Sequence, residues 1–153
     1  MIRKIKREND PNSGYFTLPG GKLEADERGP NPRGRLESVV RETLQESGLT
    51  LVSPRLRGTI LFDNQGREFD NWPNPDNFLV YVFATERYTG ELKESDEGIP
   101  LWVDEEEIDG LPKNPGDVKM YEWLKDFRSR FFIGVVRHKG KELDEAETFV
   151  DYF

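Results

Sequence analysis

Three oxygen-bearing side chains, Glu42, Gln45 and Glu46, stand at i, i+3 and i+4. On a helix this spacing gathers them on one face, because residues three and four apart are surface neighbours. Two carboxylates placed this way repel, at roughly 0.2–0.5 kcal/mol in an isolated helix, and a divalent cation bound through oxygen more than offsets that cost. An arbitrary Glu-x-x-x-Glu pair is more often a solvated acidic face, so the surrounding sequence has to decide between the two.

The elements that must hold these residues are legible in outline. Leu36, Val39, Val40, Thr43 and Leu44 fall at i, i+3, i+4, i+7 and i+8, the apolar stripe of an amphipathic helix turned largely away from the acidic cluster. Gly48 ends that helix as a residue able to turn left-handed. Residues 8 to 34 are dense in Gly, Pro, Asn and Asp and predict loop, apart from a short strand at Tyr15 to Leu18. Strands are expected at Leu56 to Phe62, Phe78 to Glu86 and Leu101 to Val103. A second helix is expected at Val118 to Arg128, where Met120, Trp123, Leu124 and Phe127 repeat the helical spacing. Asp104 to Glu107 reads as the first turn of a short helix, and closing strands are expected at Phe131 to His138 and Thr148 to Phe153. This order predicts one α+β domain over residues 1–153, with helices packed on a mixed sheet.

Composition narrows the chemistry. With 22 Lys+Arg against 30 Asp+Glu the net charge is −8, which disfavours a nucleic-acid partner. There is no cysteine and only one histidine, His138, so thiolate zinc sites, cysteine nucleophiles and multi-histidine metal sites are excluded. The apolar run Phe78 to Ala84 falls far short of the roughly 18 residues that span a bilayer, and Met1 is followed by a basic stretch rather than a secretory signal. A cytoplasmic protein without a membrane partner is the expectation.

Gly20-Gly21-Lys22-Leu23-Glu24-Ala25-Asp26-Glu27 and Arg41-Glu42-Thr43-Leu44-Gln45-Glu46-Ser47-Gly48-Leu49 together resemble the box of the Nudix hydrolases, G-x5-E-x7-R-E-U-x-E-E-x-G-U, with U a bulky aliphatic residue. The resemblance implies a Nudix-type mixed sheet between helices, without the strand that relatives usually place before the one matching Met1 to Arg7. It implies Mg²⁺, or Mn²⁺, held by Glu42 and Glu46, with Gln45 as a neutral ligand and Gly20 and Gly21 offering backbone carbonyls. The cation would neutralise a diphosphate and activate a water, Glu42 or a second carboxylate would orient or deprotonate that water, and Arg41 would serve catalysis by ion-pairing the carboxylates.

Three features depart from the family pattern. Thirteen residues separate Glu27 from Arg41 where the family leaves seven, Gln45 replaces a glutamate, and Thr43 stands at an aliphatic position. Beyond the box, Gly58 to Phe62, Tyr81 to Phe83, Asp96-Glu97-Gly98 with Leu101 to Val103, and Val150 to Phe153 resemble the MutT/MutX-type branch that hydrolyses 8-oxo-dGTP. That branch implies Glu97 as a further metal ligand, and an acidic and an aromatic residue as base contacts; Asp117 matches the acidic one, and the aromatic position falls at Asn114 or Pro115. Trp72, in a polar loop, is a candidate for stacking on the base, whereas Trp102 and Trp123 read as core and His138 as a surface residue. Arg3, Lys4, Lys6 and Arg7 form the densest positive cluster, either meeting phosphates or lying on a solvated strand.

The implied reaction converts an oxidised purine dNTP to the monophosphate and pyrophosphate. The alternatives are ADP-ribose, a nucleotide sugar or a dinucleoside polyphosphate as substrate, or a nucleotide-binding or regulatory module with little hydrolysis. The oligomeric state is open, with a dimer compatible.

Overall fold

The computed structural model describes residues 1–5, 13–24, 27–28, 33–67, 77–126, 130–140 and 142–153. In chain order the elements are β1 (Ile2–Lys4), β2 (Phe16–Thr17), α1 (Gly34–Ser47), β3 (Leu49–Leu51), β4 (Arg55–Arg67), β5 (Phe78–Ala84), β6 (Tyr88–Gly90), β7 (Gly98–Pro100), a 3-10 turn (Ile108–Gly110), α2 (Pro115–Asp126), β8 (Phe132–Gly140), β9 (Glu142–Leu143) and β10 (Phe149–Tyr152). The chain is an α+β protein with two helices and a mixed sheet among its described residues. Its contacts divide it into two units, taken in turn.

The first unit draws on Met1–Arg7, Asn12–Arg55 and Ala84–Pro112. Its sheet has order β2-β1-β7, with both pairings antiparallel: Ile2 lies opposite Thr17 on one side and Pro100 on the other. Alternation along β1 turns Ile2 fully inward and Arg3 outward. α1 packs against β3 and β7, and β3 pairs antiparallel with β6. Gly48 ends α1 as expected, at φ 77°, with its N–H donating to the Leu44 carbonyl at 2.9 Å.

The helix is rotated relative to the expected stripe. Its buried residues are Gly34, Ser38, Thr43, Glu46 and Ser47, while Leu44 is 48% exposed. Small side chains allow the close packing: Ser47 Oγ donates to the Thr43 carbonyl at 2.6 Å and accepts the Leu49 N–H at 3.3 Å. The strand expected at Leu101 to Val103 lies instead at Gly98–Pro100. Leu101 falls beside Met1, one residue before β1 begins, and the ladder ends there. Trp102, expected in the core, is therefore outside the sheet and 62% exposed, with its ring 5.1 Å from that of Tyr88.

The second unit draws on Glu8–Pro11, Leu56–Phe83 and Lys113–Phe153. Its sheet runs β10-β8-β4-β5, with β9 on β8. β4 and β8 are parallel, from Gly58↔Phe132 to Phe62↔Val136, and β10 is antiparallel to β8. Ile60, Phe62, Val82, Met120, Tyr121, Trp123, Phe132 and Val136 are buried here. Each such large apolar side chain contributes roughly 1.5–3 kcal/mol on burial. Trp123 is thus a core residue, as its helical spacing predicts. His138 is not the surface residue expected: alternation along β8 puts it inward with Phe132, Gly134 and Val136, at 2% exposure. α2 begins at Pro115, three residues ahead of the expected start, because proline suits a first helical turn whose N–H groups have no intrahelical acceptor. The Phe127 and Arg128 end of that expectation lies outside the described residues.

Candidate active site

The site belongs to the first unit and is built on the C-terminal half of α1. Glu46 is its most buried acid, 4% exposed. Its Oε1 accepts from Lys4 Nζ at 3.4 Å and its Oε2 accepts the Gly20 N–H at 3.1 Å. Burial pushes the Glu46 carboxyl above the ordinary carboxylate range; Lys4 and the Gly20 N–H pull it back, and Glu42 adds a smaller upward push.

Lys4 Nζ also reaches Glu97 Oε2, at 3.1 Å. Glu97 is held near α1 by Ser95, whose Oγ accepts the Glu97 N–H at 3.2 Å and donates to the Glu46 carbonyl at 3.3 Å. Glu42, one turn before Glu46, packs so closely on Gly21 that a Cβ there would overlap its carboxylate. At Gly20 a Cβ would meet nothing within 4 Å.

Arg41 ties the helix to the preceding loop. Its Nε and Nη2 each donate at 3.0 Å to the two oxygens of Glu27, and its Nη1 donates to Glu42 Oε1 at 2.9 Å and Gln45 Oε1 at 3.2 Å. Glu27 also accepts the Glu24 N–H at 2.7 Å. The Arg41 hydrogen bonds, followed by that backbone contact, hold the Glu27 carboxyl below its ordinary range, and the same pairing holds Arg41 firmly protonated. The six-residue insertion therefore leaves Glu27 in reach of the helix. A Cβ at Gly34 would lie 2.9 Å from the Glu27 Cα, so the start of α1 abuts the end of the glycine loop.

Glu42, Gln45, Glu46, Glu97, Lys4 and Gly21 are among the residues lining a cleft of about 610 Å³, a size that admits a nucleotide-sized ligand. The expected Gly20, Gly21, Glu42, Gln45, Glu46 and Glu97 all border this cleft, with Arg41 bonded to two of them. Asn114 and Asp117 lie in the second unit, at the entry to α2, where the Asn114 carbonyl accepts the Val118 N–H at 3.1 Å. Trp72 lies outside the described residues.

Sequence reading missed the parts played by Lys4 and Ser95. Lys4 sits two residues from the fully buried Ile2 on a strand, and a charge on that inward face calls for an acidic partner. Ser95-x-Glu97 is a spacing at which a hydroxyl caps a following N–H.

Every candidate donor to a cation here is an oxygen, the ligand type of Mg²⁺ and Mn²⁺. Among the described residues no three His, Cys, Asp or Glu side chains converge as a ready ligand cluster. Glu46 and Glu97 are instead joined by the Lys4 ammonium, so the position between them already suits a cation. The residues fit a divalent ion.

In this α+β chain a glycine loop thus meets a helix that carries clustered carboxylates at the edge of a cleft. The NUDIX domain profile matches residues 2–124. The chain is 30% identical over 124 residues to the uncharacterized Nudix hydrolase YvcI of Bacillus subtilis, covering 79% of this chain and 71% of that one. It is 28% identical over 117 residues to an oxidized purine nucleoside triphosphate hydrolase of Danio rerio, covering 72% and 69%. The crystal structure of a MutT protein from Bacillus halodurans matches with a TM-score of 0.70 and 26% identity, over 99% of this chain and 86% of that one. The chain belongs to the Nudix family and is a pyrophosphohydrolase of nucleoside diphosphate-linked substrates. Among the described residues no helix is long and apolar enough to cross a membrane.

Proposed function

We propose that the chain hydrolyses purine nucleoside triphosphates, oxidised ones foremost, to the monophosphate and pyrophosphate, in a reaction that depends on a divalent cation. The observation that carries this reading is the cleft lined by buried Glu46, Glu42, Glu97 and two glycines, with the Lys4 ammonium between Glu46 and Glu97. The likeness to the Danio rerio hydrolase, whose name specifies oxidized purine nucleoside triphosphates, supports the choice of substrate.

Glu42, Glu46 and Glu97 would hold Mg²⁺ or Mn²⁺, with the Gln45 amide oxygen and the Gly20 and Gly21 carbonyls as neutral donors. The bound cation would neutralise the polyphosphate and lower the pKa of an attacking water. Glu42 or Glu97 would accept the proton of the attacking water as the water oxygen bonds to phosphorus and the phosphoanhydride bond breaks, with pyrophosphate leaving. Arg41 fixes the rotamers of Glu42 and Gln45 without touching substrate. Asn114 and Asp117 are proposed as base contacts on the family resemblance alone, and Trp72 as a stacking residue from its place in a polar loop of the sequence.

The test is chromatographic separation of the products formed from 8-oxo-dGTP, dGTP, other dNTPs, ADP-ribose, a nucleotide sugar and a dinucleoside polyphosphate, with Mg²⁺, Mn²⁺ or EDTA. Pyrophosphate release fastest from 8-oxo-dGTP and abolished by EDTA is expected. Faster turnover of ADP-ribose, a nucleotide sugar or a dinucleoside polyphosphate would move the assignment to that substrate.

A further inference from the structure

Lys4 occupies an unusual place for a lysine. β1 alternates, and Lys4 shares its inward side with Ile2, which is fully buried, while Arg3 between them is exposed. The Lys4 side chain is only 15% exposed, and its ammonium lies 3.4 Å from Glu46 Oε1 and 3.1 Å from Glu97 Oε2. A lysine on such a face is costly unless it is paired, and both partners here are oxygens assigned to the cation.

We infer that Lys4 is an internal stand-in for the divalent cation: its ammonium bridges Glu46 and Glu97 when the site is empty and must leave before metal enters between them. The inference rests on the cation site proposed above. One positive charge bridges two carboxylates with Glu42 close by, so the arrangement keeps buried Glu46 neutralised yet leaves net negative charge to attract a divalent ion. Lys4 is thus a positioning residue that sets how tightly metal binds, since its departure is part of the binding equilibrium.

The experiment titrates Mn²⁺, without nucleotide, into the wild-type chain and into Lys4→Met, Lys4→Gln and Lys4→Arg, by calorimetry, with melting temperatures in EDTA and in Mn²⁺. Lys4→Met should bind Mn²⁺ about tenfold tighter, the scale on which groups next to metal ligands tune affinity. It should also melt lower in EDTA, because Glu46 loses its buried counter-ion, and recover more than the wild type does when Mn²⁺ is added. Lys4→Arg, which keeps a cation at the bridge, should not gain affinity. If Lys4→Met does not fold in EDTA, Lys4→Gln, which retains an N–H donor for Glu46, carries the same expectation. Mn²⁺ binding to folded Lys4→Met or Lys4→Gln that is unchanged or weaker overturns the inference and leaves the cation site standing. Absence of Mn²⁺ binding in all four proteins overturns the cation site, and the inference with it.

Discussion

Arg41 grips Glu27 through two parallel hydrogen bonds, Nε to Oε1 and Nη2 to Oε2, both 3.0 Å. The same guanidinium spends its remaining nitrogen, Nη1, on Glu42 and Gln45. One planar group therefore sets the distance between the glycine loop and the acidic face of α1, a task a point charge cannot perform. Arg41→Lys should lower turnover by about tenfold, with a smaller change in KM, as expected when a group that orients ligands is lost. Steady-state kinetics at saturating Mg²⁺ check this, and unchanged turnover would show that the fork is not needed to place Glu42.

The same pair gives the fold an acid-sensitive clasp. Arg41 hydrogen bonds, chiefly, hold the Glu27 carboxyl below its ordinary range. A carboxyl lowered in the folded state contributes stability that is complete above its unfolded pKa and is lost as pH falls through the folded value. Melting temperatures recorded from neutrality downward should thus fall more steeply for the wild type than for Glu27→Gln, in the window between the ordinary carboxyl range and the lowered value. At neutral pH Glu27→Gln should melt lower. Parallel curves through that window would mean that Glu27 contributes nothing to acid unfolding.

Gly20 and Gly21 are adjacent and chemically identical, yet the structure separates them. A Cβ at Gly21 overlaps the Glu42 carboxylate, whereas one at Gly20 meets nothing within 4 Å. The obstructing atoms are the end of a flexible side chain, so Gly21→Ala should fold and displace the carboxylate rather than break the loop. Turnover should drop about tenfold or more for Gly21→Ala, on the scale of a misplaced metal ligand, and much less for Gly20→Ala. Circular dichroism melts alongside activity separate the two effects, and equal losses in both variants would point to loop conformation instead.

The sequence carried the acidic cluster and its helix clearly, because Glu42, Gln45 and Glu46 depend on each other through local spacing and Gly48 marks a local stop. It carried much less of what surrounds them. The burial of Glu46 depends on Lys4 and Gly20, far away in the chain, and no periodic pattern reports such pairing. β3, β6 and β9 run only three, three and two residues, too short for alternation to register. Trp102 departs from expectation for a related reason: the residues next to a strand look much like the strand, and only register with β1 ends it at Pro100. His138 was readable in principle, since its parity with Val136 on one long strand fixes its side.

Gln45 offers the last and most direct test of the site. It is an exposed residue on the cleft, its amide oxygen accepts from Arg41 at 3.2 Å, and the family pattern has glutamate here. Gln45→Glu keeps the length and the Arg41 contact and adds one negative charge beside Glu42 and Glu46. Without metal that charge repels Glu42 but strengthens the Arg41 contact, each by roughly 0.2–0.5 kcal/mol, so the melting temperature in EDTA should change little. With Mg²⁺ present the melting temperature should rise, because a further carboxylate strengthens an oxygen-only site. The variant should bind Mg²⁺ more tightly and turn over about tenfold faster, consistent with the scale on which metal surroundings tune activity. Melts in EDTA and in Mg²⁺, paired with kinetics across a Mg²⁺ series, separate the two effects in one protein. A tighter metal site without faster turnover would mean that position 45 helps to hold the cation but has no part in the chemical step.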